Sequence, residues 1–168
     1  MDFEIRNVEE RDLLQVAEIA INDWKIAYRG IIDDAYLDNL DVQAKYERFK
    51  QNYQEGHFTV AVRGSEVLGF ARYSDEPFNN SDNKKVECEL CALYVKWNVR
   101  GSGIGAALVA YVKDYFKSIG KKSMCIWCLK DNHKARFFYE KMGGTLYAEQ
   151  DLERGGKIYK EVGYMYEL

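Results

Sequence analysis

The sequence predicts one α+β domain spanning residues 1–168, and three observations carry that prediction. Short β-favouring runs such as "HFTVAVRGSEVLGFARYS" and "SMCIWCL" recur along the chain. Segments with apolar residues at helical spacing lie between them. Thirteen glycines against a single proline close most of the predicted elements, which marks sharp stops rather than extended linkers.

"FEIRNV" (3–8) reads as a short strand. The next segment places Leu13, Val16, Ile19, Ala20, Trp24, Ala27 and Tyr28 on one helical face and stops at Gly30. "DDAYLDNLDVQAKYERFKQNYQEG" reads as a helical turn and then a second amphipathic helix ending at Gly56. Residues 57–74 form a hairpin turning at Gly64-Ser65, and the polar "DEPFNNSDNKK" is an exposed loop. "VECELCALYV" is a long strand. A helix from Gly103 to Ile119 buries Ile104, Leu108, Val112, Tyr115 and Ile119. "SMCIWCL" is a further strand, and a short helix capped by Asn132 or Asp131 ends at a glycine pair. Two strands around Gly155-Gly156 complete the order β-α-α-β-β-β-α-β-α-β-β.

A net charge of −3 with no long basic block gives no footprint for nucleic acid. No run of about 18 apolar residues exists to span a membrane. The N-terminus is charged from its second residue, unlike a secretory signal, and a cytoplasmic protein is expected. The four cysteines fall as Cys88/Cys91 and Cys125/Cys128, a spacing that can mark zinc. Both pairs lie in strand-like runs, however, where residues three apart point to opposite faces and cannot converge on one ion. Buried reduced thiols and no metal are therefore expected.

Three alternate glycines, Gly101, Gly103 and Gly105, sit where a strand gives way to a helix in "YVKWNVRGSGIGAALVAYVK". The first amides of a helix lack internal partners and carry partial positive charge, so a loop without Cβ atoms there is suited to an anion. No Gly-Lys-Ser/Thr follows, and the spacing differs from the dinucleotide fingerprint. What stands instead is R-x-x-G-x-G, from Arg100 to Gly105.

"ELCALYVKWNVRGSGIGAALV" (89–109) resembles the signature of the GNAT-type acyl-CoA N-acyltransferases, although Trp97-Asn98 replaces a proline common before that loop. Two further stretches fit the same family: Asn132, Ala135 and "FYEKMGG" (138–144), where Gly144 replaces a usual phenylalanine, and "DWKIAYRG" near the N-terminus. The resemblance covers essentially the whole chain. It implies a central mixed, mostly antiparallel sheet with splayed parallel fourth and fifth strands, flanked by about four helices.

It also implies acetyl-CoA as acyl donor. The backbone of Leu93, Tyr94 and Val95 would hold the pantetheine arm. Amides from Arg100 through Gly101, Ser102, Gly103, Ile104 and Gly105 to Ala106 would hold the diphosphate, with Asn132 on the cofactor arm. Tyr139 matches the tyrosine that protonates the leaving thiolate in many members, and Glu89 matches an acidic residue that reaches active-site water. In another subfamily the base lies on the later strand, where this chain has Trp127. Trp24, Tyr28 and Trp127 suit either an acceptor pocket or packing. The expected function is transfer of an acetyl group to a primary amine of a small molecule or protein by direct attack. Alternatives are a non-catalytic acyl-CoA sensor and a redox or zinc protein. A homodimer is compatible with the tyrosine-rich C-terminal strands.

Overall fold

In the computed structural model, which describes residues 2–78 and 86–168, one seven-stranded sheet organises the chain. The strands are β1 (Glu4–Asn7), β2 (His57–Arg63), β3 (Glu66–Ser74), β4 (Cys88–Val95), β5 (Ser123–Leu129), β6 (Thr145–Arg154) and β7 (Lys157–Glu167). Their spatial order is β1-β2-β3-β4-β5-β7-β6; β4 and β5 run parallel and all other neighbours antiparallel. Five α-helices accompany them: α1 (Leu13–Ala27), α2 (Asp34–Asp38), α3 (Val42–Asn52), α4 (Ile104–Ser118) and α5 (His133–Lys141). The segment expected to make a helical turn is thus the five-residue α2, capped by Asp33, whose side chain accepts from the Tyr36 amide. Residues 79–85 of the expected loop lie outside the described residues.

The sheet separates two apolar layers. On one face Leu13, Val16, Ala17 and Ala20 of α1 and Phe49 of α3 pack on Phe58, Val60 and Phe70. On the other, Ile104, Leu108, Val109, Val112 and Phe116 of α4 pack on Leu68, Ala71, Cys88, Leu90 and Met124, with Tyr139, Tyr164 and Tyr166 alongside. The α4 stripe ends earlier than its periodicity suggests. The helix stops at Ser118, leaving Ile119 44% exposed, whereas Tyr115 packs against the α4 layer as expected, its hydroxyl 2.9 Å from His57 Nε2. A smaller cluster of Ile32, Leu37 and Leu129 ties α2 to the tip of the β6–β7 hairpin, helped by the Lys157–Asp33 ion pair.

Strand parity divides each cysteine pair. Cys88 and Cys128 belong to the α4 layer, whereas Cys91 is exposed and Cys125 lies outside that layer. Among the described residues no three His, Cys, Asp or Glu side chains are placed to hold a metal ion, and no helix is long and apolar enough to cross a membrane.

Candidate active site

The β4–β5 ladder contains only two pairs, Cys88↔Met124 and Glu89↔Cys125, while β3 follows the other edge of β4 up to Val95. Past Glu89, therefore, one edge of β4 carries no strand. At the root of this wedge Arg72 faces Ala92 and Tyr73 faces Leu90, so Cys91 is the extra residue of a β-bulge. The wedge opens into a cavity of about 850 Å³. Its walls are β4 from Cys91 to Val95, Trp127 and Cys128 of β5, Tyr28 just past α1, Phe138 and Tyr139 of α5, and the glycine loop.

Gly101 shares with Gly103 a positive φ, whereas Gly105 does not. Gly103 has φ +88°, a left-handed conformation costly for any side chain; a Cβ there would meet nothing within 4 Å, so backbone angle rather than space selects glycine. Gly105 lies in the helix, and a Cβ there would make ordinary contacts, 3.4 Å from Phe138 Cζ and 3.5 Å from Val95 Cγ2, so only a longer side chain would collide. That closeness seats α4 against both β4 and α5.

The first backbone bond of α4 runs from the Ala107 amide to the Gly103 carbonyl, 2.9 Å. Among the described residues the amides of 101–106 donate to nothing. A row of free donors at the positive end of a 15-residue helix is a ready site for a polyanion. The Ser102 hydroxyl does not join it, because it donates to the Val99 carbonyl at 2.6 Å and closes the turn. Nor is Arg100 free: Nε donates to the Val95 carbonyl at 3.2 Å, and the guanidinium pairs with Asp23 of α1 while lying 4.8 Å over the Trp97 ring. Asn132 caps α5 by accepting from the Ala135 amide at 3.2 Å, and it also lines the cavity.

Tyr139 is 7% exposed and reaches the cavity from α5. The Tyr166 hydroxyl donates to its carbonyl at 3.0 Å, fixing the backbone beneath it. Burial pushes the Tyr139 phenol well above its ordinary value, so it is a protonated donor at any working pH. Across the cavity Trp24 Nε1 donates to the Tyr94 hydroxyl at 2.8 Å, and the Trp24 and Tyr28 rings meet edge-on at 5.0 Å. Tyr28 and Trp127 line the cavity; Trp24 stands behind Tyr94 and positions it.

Glu89 is 8% exposed and its Oε2 accepts from the Phe78 amide at 2.9 Å. Burial raises its carboxyl above the usual range, and Glu161 adds to the shift. The β4 lining begins at Cys91, so Glu89 stands one step behind the bulge. Part of Cys91 is open to solvent, yet its thiol is desolvated against the sheet and feels the Glu89 charge, which together push it up to about 12. It is a thiol, not a thiolate, at neutral pH. His57, without an acid nearby in sequence, pairs with Asp75 at 3.0 Å, away from the cavity.

Residues 20–144 match the acetyltransferase (GNAT) family. The chain belongs to that family. An uncharacterised N-acetyltransferase of Archaeoglobus fulgidus is 30% identical over 152 residues, covering 90% of this chain and 94% of that protein. The spermidine N(1)-acetyltransferase of Thermoplasma acidophilum is 24% identical over 146 residues, covering 85% and 88%. Among solved structures, PaiA N-acetyltransferase of Thermoplasma acidophilum in complex with coenzyme A superposes with TM-score 0.74 at 23% identity, covering 96% of this chain and 98% of that one. The GNAT fold with its splayed strands is thereby shown for this chain.

Several cavity residues escape the sequence reading. Asp23 opens the "DWKIAYRG" stretch and Cys128 belongs to a C-x-x-C pair, but neither was expected at the cavity, and Tyr94 was expected to contribute backbone alone although its hydroxyl anchors Trp24. Only the bulge at Cys91 had a conceivable signal, an apolar strand interrupted by two charges and two cysteines.

Proposed function

We propose that this acetyltransferase moves an acetyl group from acetyl-CoA to a primary amine of a small molecule or protein by direct attack within a ternary complex. The observation that carries the proposal is the row of free amides at 101–106 meeting the open edge of β4 in one cavity that also holds Tyr139. In this reading the diphosphate lies on the loop amides and the pantetheine arm runs along residues 93–95. The thioester then reaches the bulge at Cys91, where strand curvature leaves amides able to receive the oxyanion.

An alkylammonium must lose a proton before it attacks. Glu89, with its raised carboxyl, accepts that proton through water. Tyr139 donates a hydrogen bond to the departing sulfur. Its phenol is a weaker acid than a free thiol, so full transfer is uphill and the bond mainly stabilises developing thiolate charge. Direct attack is favoured over an acyl-cysteine because the cavity's exposed thiol, Cys91, is protonated at neutral pH.

The test is release of CoA thiol from acetyl-CoA across a panel of primary amines, alongside calorimetric titration with CoA. Turnover of at least one amine with saturable CoA binding is expected. CoA binding without turnover of any amine would replace the enzyme reading with a sensor.

A further inference from the structure

Two cations beside the root of the wedge form no ion pair among the described residues. Lys45 of α3 holds its ammonium 4.8 Å over the Phe49 ring, and Arg72 of β3 holds its guanidinium 5.2 Å over the Phe58 ring. Those two rings pack edge-on at 5.5 Å, so both cations sit on one aromatic pair. Both side chains are partly buried. Neither makes an ion pair or hydrogen bond among the described residues. Arg6, Arg29, Lys96, Lys130, Lys157 and Lys160 each reach a carboxylate, while Lys113 and Lys134, each over a single ring, do not; among the described residues only Lys45 and Arg72 share one aromatic pair. An aromatic face orients a cation without neutralising it.

The surroundings add like charge. Arg48 and Arg154 bear on Lys45, and Arg48 bears on Arg72; burial and these neighbours lower both pKa values. Against them Arg72 feels only the exposed Glu55 and the Cys91 thiol, neither of them an ion-pair partner. The position is also specific. Arg72 is the ladder partner of Ala92, and Cys91 and Ala92 are where the β4 wall of the cavity begins. The cations therefore stand at the opposite end of that wall from the glycine loop, outside the run of residues assigned to the coenzyme.

We propose that the acceptor is an amine carrying its own oxyanion, a carboxylate or a phosphate, which Arg72 and Lys45 hold while the amine lies over Cys91 and Ala92. The inference rests on the amine-acetylation reading and narrows it. The planar guanidinium fork matches a carboxylate in two parallel hydrogen bonds, and Lys45 adds a point charge that serves either anion. A polyamine would instead bring extra positive charge toward four cations.

Matched acceptor pairs test it in the full chain: leucine against leucinamide, 2-aminoethyl phosphate against ethanolamine, and spermidine as a polycation. The anionic member of at least one pair should have kcat/KM higher by roughly tenfold or more, the worth of one charge-assisted hydrogen bond. Arg72→Gln and Lys45→Gln should each raise its KM roughly 10- to 100-fold and shrink its advantage over the neutral partner. Preference for the carboxylate or for the phosphate identifies which anion is held. Equal use of paired acceptors, or preference for spermidine, overturns the proposal while leaving amine acetylation intact. Should no amine turn over, calorimetry with leucine and with 2-aminoethyl phosphate in the presence of CoA still decides: binding lost in Arg72→Gln supports the anion site, and no binding overturns it.

Discussion

Tyr139→Phe separates chemistry from architecture more cleanly than other single changes. The phenol hydroxyl has no hydrogen-bond partner among the described residues, and the ring is held by contacts that phenylalanine keeps, with Phe138 at 5.5 Å and Tyr164 at 6.0 Å between centroids. Deleting an oxygen that faces the cavity leaves no buried group unsatisfied, so stability should change by no more than about 0.5 kcal/mol. The catalytic effect should be large. Loss of a positioned acid typically costs roughly 10²- to 10⁴-fold, about 3–5 kcal/mol at 1.36 kcal/mol per decade. The assay is steady-state thiol release at saturating acceptor, with thermal unfolding and CoA calorimetry on the same preparation. A fall in kcat with unchanged Tm and CoA affinity is expected. A kcat within about threefold of the parent would refute the assignment of Tyr139 as donor to the leaving sulfur.

Other consequences can be checked together. Glu89→Gln should remove the acid limb of kcat/KM and lower the plateau by roughly 10²-fold or more. Because burial raises the folded carboxyl, Glu89 favours folding below the unfolded value near ~4.3 and loses that benefit as pH rises through its folded value. The Gln variant should therefore be no less stable than the parent at pH 7.5, by thermal melts, and lose any advantage in acid. Asp12 has the opposite sign. Burial pulls it up, but two Arg6 bonds of 2.7 and 2.9 Å and the Glu9 amide outweigh that and hold it low. Its contribution is present above pH ~4 and lost as pH falls through the depressed value. Asp12→Ala should cost roughly 3 kcal/mol at pH 7 by urea unfolding, the low end for a broken buried pair because the Arg6 side chain keeps 20% exposure. Gly105→Leu should push Phe138 away and weaken CoA binding without loss of the sheet, read by calorimetry and far-UV circular dichroism.

The strand and helix order was legible because most elements close on a glycine or open on a cap and their apolar faces follow one period. The glycine loop was legible too, since its chemistry is local: φ at Gly103 and free amides follow from a few consecutive residues. What escaped depends on register. Whether Glu89 faces the cavity turns on the one-residue bulge at Cys91, which shifts every later side chain of β4, and no alternation pattern encodes a bulge reliably. Asp23 meets Arg100 across 77 positions, and Arg72 stands next to the cavity wall only through its ladder partner Ala92, so both placements are tertiary. Ile119 shows the reverse error, a residue on the right helical face beyond the point where the helix ends.

The central claim is that the main-chain donors of residues 101–106 hold the diphosphate of the coenzyme. Its most direct test is titration of the parent and of Gly103→Val with CoA and with pantetheine, which lacks the diphosphate. At φ +88° the substituted residue should strain or flip the loop at a cost of about 1–2 kcal/mol, lowering Tm by only a few degrees. CoA affinity should drop roughly 100-fold while pantetheine binding stays within about threefold, a difference of about 2–3 kcal/mol. Equal CoA affinity in the two proteins, with the variant folded, would contradict the account.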